Sequence, residues 1–317
     1  MQTTLYYAKG TGATVDYINL ARDFSEYNSK NEEVTTRDGH VFGYLCRFKM
    51  LMTEGDAVSL YTAPNSWKMI NSFRKFHAYR DHMFAEAGIE GGEMGRYGKT
   101  IRPLLDSGHK ANGSNTLIPF TVDSQHSGAG GSVVQYNGGE WDYTQLATTP
   151  IFETVATPSN PTLEWADAFH LKICEENVLS TAGTEQSSGL YTTVGMIHSY
   201  NLDRMELVTP DKTTSEVIDG PSNPLAALRA SGNQAAGQVI ELAAQQESEL
   251  PPYDQQDNGT SIYTPLSNYA STPSTGGTVS FTAFLPAGLG RFYTASSSDW
   301  FLEVEVLDKV LCKDMGF

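Results

Sequence analysis

Short stretches of alternating apolar and polar residues, separated by turn-forming residues, recur along most of this sequence. The clearest stretch is Trp300–Leu311, in which Leu302 and Val304 alternate with Glu303 and Glu305. A period of two is expected for a strand with one buried face. The intervening segments are rich in Gly, Ser, Asn, Thr and Pro, and many short strands joined by such turns are typical of β-sandwiches and barrels. The sequence therefore predicts a mainly β protein.

Other segments share this alternation or form short apolar runs bounded by turns. We predict further strands at 41–52, 57–61, 115–122, 132–136, 150–155, 168–173, 190–200, 205–208, 261–263 and 278–285.

One helix is predicted near 66–87. Asn65 or Ser66 suits its N-cap and Gly88 suits its end. Its apolar residues approximate helical spacing and are Trp67, Ile70, Phe73, Phe76, Met83, Phe84 and Ala87. Such a helix packs one face against a sheet.

A second helical segment is predicted near 224–247. Pro224 suits the first turn, whereas Gly232 and Gly237 each weaken the middle by roughly 1 kcal/mol. The two helical segments begin about half a chain length apart. This spacing predicts two β-barrels in tandem, at 1–157 and 158–317, and the alternative is one irregular β domain with two unrelated helices.

The charge balance excludes some classes of function. The chain has 317 residues and a net charge of −16, which does not suit nonspecific binding of nucleic acid. It contains no apolar run long enough for a membrane helix. No secretory leader is recognisable at the start, so we expect the three cysteines, Cys46, Cys174 and Cys312, to be unpaired thiols.

Basic residues are concentrated in one stretch, Lys68–Lys110, which contains eight basic and five acidic residues. The hypothesis is an electrostatic strip that faces an acidic neighbouring subunit or the interior of an assembly, and the alternative is a solvated helix face. The candidate residues of this basic strip are Lys68, Arg74, Lys75, Arg80, Arg96, Lys99 and Arg102.

Motifs for catalysis and cofactor binding are incomplete. The segment 95–100 ends like a phosphate-binding loop, but Glu93 occupies the position of its first glycine. No GxSxG motif is present, and no histidine pair has the spacing of a zinc site. We therefore expect no catalytic residue, cofactor or metal, and no enzyme activity. The turn Asp254–Asp257 remains either a calcium site or an ordinary Asn-Gly turn.

The segment TAPNSWKMINSFRKFHAYRDHMFAEAGIEGGEMGRYGKTIRPLLD resembles the helical insertions of jelly-roll major capsid proteins of small icosahedral viruses, and GGEWDYTQLATTP and ELPPYD are similar in character. Capsid proteins with a single jelly roll usually carry a basic N-terminal arm. Residues 1–30 contain three basic and three acidic residues instead. The resemblance thus favours the double jelly-roll type, which is common in tailless viruses with an internal membrane.

The resemblance implies two jelly-roll barrels in tandem, with one inserted helical segment each, in a structural protein that self-assembles into an icosahedral shell. The implied partners are further copies of the chain, as trimers, and other capsid proteins, with the viral membrane or genome at the interior face and no sequence-specific nucleic-acid binding. The implied location is the virion, after synthesis in the host cytoplasm. A single jelly-roll capsid protein with a projecting domain is the less favoured variant.

Two hypotheses from other classes remain open. A carbohydrate-binding or receptor-binding β-sandwich would use exposed aromatic residues as platforms for a ligand. The candidates are Trp141, Tyr143, Trp165, Tyr253 and Tyr263. A hydrolase on a β scaffold is the third hypothesis.

Overall fold

The computed structural model describes residues 3–9, 15–52, 55–89, 100–111, 116–120, 141–147, 150–152, 163–165, 168–175, 192–205, 266–273, 275–294 and 299–312. The described strands are β1 (Thr4–Lys9), β2 (Val15–Asn19), β3 (Phe42–Met52), β4 (Ala57–Thr62), β5 (Gln145–Ala147), β6 (Pro150–Phe152), β7 (Leu163–Trp165), β8 (Ala168–Lys172), β9 (Thr192–Gly195), β10 (Leu266–Ser271), β11 (Gly277–Pro286), β12 (Leu289–Thr294) and β13 (Trp300–Leu311). The described helices are α1 (Leu20–Tyr27), α2 (Trp67–Glu86), α3 (Ser107–Ala111) and α4 (Met196–Met205).

Two four-stranded antiparallel sheets form the centre of the fold. Sheet A has the strand order β1-β13-β3-β11, and sheet B has the order β10-β4-β12-β2. Large apolar side chains of both sheets share one core, in which the rings of Phe48 and Phe292 lie 5.9 Å apart and Trp300 is fully buried. The mainly β fold predicted from the sequence is confirmed.

Alternation along the strands explains how the two sheets face each other. On β3, Cys46, Phe48 and Met50 are buried, whereas Arg47 and Lys49 between them are exposed. Successive side chains of a strand point to opposite faces, so one face of sheet A enters the core and the other meets solvent.

The eight strands of sheets A and B pair in a nested order. The first strand pairs with the last, β1 with β13, and then β2 pairs with β12, β3 with β11 and β4 with β10. Two further pairings, β13 with β3 and β12 with β4, join these pairs into the two sheets. The chain thus folds back on itself as one long antiparallel ribbon, whose successive pairs lie alternately in sheet A and sheet B.

This pairing bears on the predicted division into two barrels, at 1–157 and 158–317. Strands from 1–157 and from 158–317 alternate within both sheets, so the described strands do not form two barrels that meet at 157/158. The spacing of the helices suggested a duplication, but it carries no information about which strands pair. The helical segment predicted at 224–247 lies outside the described residues.

A second core joins the β-sandwich to the long segment between β4 and β10. It contains Phe73 of α2, Ile197 of α4 and Leu171 of β8, together with Tyr17 and Leu289 of sheet B. Within this segment, β5, β8 and β9 form a three-stranded sheet and β6 pairs with β7. The described part of the inserted segment is therefore packed onto the sandwich, and α2 contributes to that contact.

Helix α2 has the boundaries that its sequence predicts. The Ser66 hydroxyl accepts a hydrogen bond from the backbone N–H of Met69 at 3.3 Å, and Gly88 adopts a positive φ of 75° beyond the last turn. The strand predicted at 190–200 is wrong beyond Gly195, because Met196 begins α4. No described helix is long and apolar enough to cross a membrane.

Residues 116–120 cover one side of the sandwich. The backbone N–H of Leu117 donates to the carbonyl of Tyr17 on edge strand β2, at 2.8 Å, and that of Phe120 donates to the carbonyl of Tyr6 on edge strand β1, at 2.9 Å. This segment, termed the strap, was predicted as part of a strand at 115–122. Within the described residues it has isolated bridge residues at Thr116, which pairs with Tyr17, and at Phe120, and no continuous strand. The strap occupies backbone carbonyl groups at the edges of both sheets. It therefore hinders β1 and β2 from pairing with a strand of another molecule.

Candidate functional site

A buried polar cluster lies where the inserted segment meets sheet B. The Asp106 carboxylate accepts hydrogen bonds from the Tyr17 hydroxyl at 2.8 Å, from the Arg291 guanidinium at 2.9 Å and from the backbone N–H of His109 at 2.8 Å. Tyr17 and Arg291 are directly opposite each other on β2 and β12. Because Asp106 is almost fully buried, this set of charge-assisted bonds fixes the start of α3 on the sheet.

His109 belongs to the same cluster. Its ring stacks on Tyr17 with 4.9 Å between centroids, and its Nδ1 accepts a hydrogen bond from the backbone N–H of Leu105 at 3.2 Å. That bond assigns the proton to Nε2, which donates to the Tyr143 hydroxyl at 3.2 Å. Burial, aided by the positive charge of Arg22, lowers the pKa of His109 to about 3.

The hydrogen bonds of this cluster hold secondary-structure elements together. Both ring nitrogens of His109 are engaged in fixed hydrogen bonds, and Asp106 contacts the backbone of His109, not its ring. A general base needs a free acceptor nitrogen directed at a substrate proton. The geometry therefore positions α3 on sheet B.

A buried lysine attaches α3 to the three-stranded sheet. Lys172 on β8 is fully buried, and its Nζ donates to the Ser107 hydroxyl at 2.9 Å. Glu175 lies 3.6 Å from the same Nζ and accepts a hydrogen bond from the Ser107 backbone N–H at 3.1 Å. The ion pair compensates the cost of burying the ammonium group.

A third polar group ties α1 to the strap. Asp23 accepts hydrogen bonds from the Tyr7 hydroxyl at 2.6 Å and from Arg22 at 2.7 Å, and Arg22 also donates to the carbonyl of Leu117 at 2.6 Å. Burial raises the pKa of Asp23, and the nearby Arg22 opposes that rise. These contacts hold the strap against the edge of the sandwich.

The structure distributes the predicted basic strip between the interior and the surface. Lys68, Arg80 and Arg102 are buried. Arg80 donates to the Thr100 carbonyl at 2.9 Å, and Arg102 donates to Asn31 at 2.6 Å. Lys68 and Arg80 therefore do not lie on an accessible face of α2, because both turn towards its packed side.

The other members of the strip are more accessible or lie elsewhere. Arg74 is exposed and Lys75 is half-buried on α2. Arg96 and Lys99 lie outside the described residues. Of the described members, only Arg74 and Lys75 remain as candidates for a contact with a neighbouring molecule.

The aromatic residues predicted as ligand platforms are packed where they are described. Trp141 lies under the Arg102 guanidinium, 4.0 Å from it, and Tyr143 bonds to His109. The side chain of Trp165 and residues Tyr253 and Tyr263 lie outside the described part of the structure. None of these residues forms an exposed platform within the described structure.

Sequence reasoning missed the aromatic residues that are exposed. Tyr269 on β10 and Tyr293 on β12 lie on the outer face of sheet B, at equivalent register positions on either side of Ser59. Their side chains are 62% and 44% exposed. Neither LSNYAS at 266–271 nor LGRFYT at 289–294 alternates apolar and polar residues, so no period-two signal in the sequence placed these tyrosines on one face.

The outer face of sheet A combines ion pairs with apolar side chains. Lys49 faces Glu303 across β3 and β13 at 3.8 Å, and the next pair along the strands joins Arg47 to Glu305. Beyond these pairs, Leu51 lies directly opposite Phe301, and both are more than 40% exposed. The outer face of sheet A therefore has two cross-strand ion pairs, and the exposed apolar pair of Leu51 and Phe301 lies next to them.

No group of three or more His, Cys, Asp or Glu side chains suited to a metal ion occurs among the described residues. The candidate calcium turn at Asp254–Asp257 lies outside them. Cys46, Cys174 and Cys312 are all buried free thiols, as predicted. Comparison with protein-family models, with curated proteins and with solved structures finds no match to this chain.

Proposed function

We propose that this protein is a structural subunit of a viral capsid, built on a single jelly roll. The observation that carries the proposal is the nested pairing of β1 with β13, β2 with β12, β3 with β11 and β4 with β10. Eight antiparallel strands that are paired in this way and divided between two sheets have the jelly-roll topology. That architecture recurs in viral capsid proteins, in lectins and in cupins.

The position of the inserted segment favours one of the capsid types over the other. Residues 63–265 connect the fourth and fifth strands of the roll, which are β4 and β10. A tandem protein would complete one roll before it begins the next. The single roll with an added domain, the less favoured capsid type at the level of sequence, therefore fits the pairing better than the double roll.

Several features of the surface suit an assembling subunit. The strap covers the β1 and β2 edges, which limits uncontrolled pairing of these strands. The net charge of −16 keeps free subunits apart through mutual repulsion. The partners in this proposal are other copies of the chain, as trimers, and other capsid proteins, with the membrane or genome of the virion at the interior face. The proposed role requires no catalysis.

The test is assembly of the purified full chain. We expect trimers at low concentration and closed particles of uniform size at high concentration or raised salt, measured by light scattering after size exclusion and by negative-stain electron microscopy. Raised salt is included because it screens the repulsion between acidic subunits. A folded chain that stays monomeric under all these conditions would contradict the proposal.

A carbohydrate-binding protein is the second candidate, favoured by the exposed Tyr269 and Tyr293 on one face of sheet B. Aromatic faces are suitable platforms for sugar rings. This function predicts that a glycan array gives specific signals and that Tyr269→Ala abolishes them, while Tyr79→Ala, at an exposed tyrosine of α2, leaves them intact.

A further inference from the structure

The two sides of the β-sandwich differ in how the described residues cover their edge strands. On one side, the strap donates hydrogen bonds to β1 and β2. On the other side lie β10, which is an edge strand of sheet B, and β11, which is an edge strand of sheet A. Within the described part of the chain, β10 pairs with β4 along one edge and no strand lies along its other edge. Such an edge is a template for a further strand.

Strand β10, at the edge of the described sheet B, lacks the charges that usually protect an edge strand. The run Asn258–Gly290 contains no Asp, Glu, Lys, Arg or His, although charged residues make up 18% of the chain. Monomeric proteins commonly place charged residues, above all Lys, on exposed edges to prevent pairing. A β-bulge between Leu266 and Asn268 protects only the first part of β10, and the regular pairing with β4 continues to Ser271.

The missing charges indicate which partner can approach. Two copies of a chain with a net charge of −16 repel each other over most of their surfaces. Along β10 and β11 this repulsion is reduced, because neither strand carries a charge. The exposed Leu266 and Tyr269 on β10 would also lose part of their contact with water against the side chains of an added strand.

We propose that β10 pairs antiparallel with β10 of a second copy of the chain, around a two-fold axis. The two B sheets then form one continuous sheet of eight strands. An isologous contact of this kind uses the same surface on both molecules and closes after two copies, so it does not propagate into fibres. The proposed capsid function motivates the choice of a second copy as the occupant, and the strand edge supplies the contact that such a subunit needs.

Cysteine cross-linking tests the geometry. A two-fold axis that crosses β10 brings Tyr269 close to its counterpart in the other copy. We expect Tyr269→Cys in the full chain to give covalent dimers with a short bismaleimide, because the three native cysteines are buried. Tyr293→Cys is the matched control. It is exposed on the same face, but β4 and β10 separate its strand from the axis, so the control should remain uncross-linked.

A charge on the edge tests the energetics. Tyr269→Lys places two like charges near each other across the axis and should weaken association through β10 by about twofold to fivefold, as measured by sedimentation velocity. Tyr293→Lys should dimerise like the unmodified chain. Circular dichroism checks that both variants fold, and if Tyr269→Lys does not fold, the cross-linking result decides.

The results separate this inference from the proposed function. Particles that form while Tyr269→Cys gives no cross-link would overturn the pairing of β10 and leave the capsid proposal standing. Cross-linked dimers from a chain that never forms trimers or particles would support the pairing and count against the capsid proposal. Cross-linking of Tyr269→Cys and Tyr293→Cys to equal extents would show nonspecific contact and overturn the inference.

Discussion

The Tyr17 hydroxyl donates a 2.8 Å hydrogen bond to the Asp106 carboxylate and so joins strand β2 to the start of α3. Tyr17→Phe removes this donor from a buried carboxylate, which then keeps Arg291 and one backbone N–H. We expect the free energy of unfolding to fall by about 1–3 kcal/mol, measured by urea denaturation. The control Tyr293→Phe removes an exposed hydroxyl of sheet B and should change stability by less than about 0.5 kcal/mol. Equal effects of both variants would contradict a structural role for the bond.

The neutral state of His109 predicts a loss of stability in acid. The unfolded chain binds a proton at His109 as the pH falls below about 6.5, whereas the folded protein holds the pKa of that ring near 3. Protons then favour the unfolded state, so the stability contributed by this group decreases as the pH falls through that window. Urea denaturation at pH 7, 5 and 4 should show a smaller loss in His109→Gln, which cannot titrate. Parallel pH profiles for the two proteins would refute this assignment.

Local patterns in the sequence predicted the positions of individual helices and strands, which depend mainly on nearby residues. Ser66, Gly88 and the apolar spacing between them located α2, and the alternation of β3 and β13 located two central strands. The nested pairing was not predictable in this way, because Phe48 meets Phe292 through contacts that span most of the chain. Whether residues 1–157 form a separate barrel depends on which strands pair with β1, β2, β3 and β4, and local sequence patterns do not specify this pairing.

The buried polar groups were missed for a related reason. In the sequence, Asp106 and Arg291 are ordinary charged residues in segments rich in turns, and no motif connects them. In the sequence, Lys68 and Arg80 are members of the predicted basic strip, and basic residues are seldom buried without a partner. The inserted segment supplies that partner for Arg80, in the carbonyl of Thr100.

Packing of α2 can be tested at Phe73, which is fully buried in the second core. Phe73→Ala removes a large side chain and leaves a cavity, so we expect a loss of about 3–5 kcal/mol in the free energy of unfolding. Tyr79→Ala on the same helix is the control, since Tyr79 is exposed, and it should cost much less. Similar losses in thermal or urea denaturation would mean that α2 does not use this face for packing.

The three thiols should react only after unfolding. Cys46, Cys174 and Cys312 are buried, and burial raises the pKa of Cys46 and of Cys312 to about 12. Because the thiolate is the reactive form, alkylation of the native protein should be slow. Mass spectrometry without reductant should find three modified cysteines in denaturant. A single modified cysteine would reveal a disulfide.

The surface part of the basic strip gives the last prediction. Arg74 and Lys75 are the accessible members on α2, whereas Arg80 holds the Thr100 carbonyl. If the accessible pair contacts an acidic neighbouring subunit, Arg74→Glu with Lys75→Glu should fold normally and assemble less well at low salt, as followed by light scattering. The difference from the unmodified chain should shrink at high salt, because the Debye length falls from about 10 Å at 0.1 M to about 3 Å at 1 M.

Arg80→Ala separates this surface effect from an effect on the fold. It leaves a buried carbonyl without its donor and should lower the free energy of unfolding by about 1–3 kcal/mol at any salt concentration. The double charge reversal should leave that quantity nearly unchanged, since surface ion pairs contribute about 0–1 kcal/mol each. If the double variant assembles like the parent at low salt, Arg74 and Lys75 form a solvated helix face, and the contacts between subunits must be sought elsewhere, first along β10.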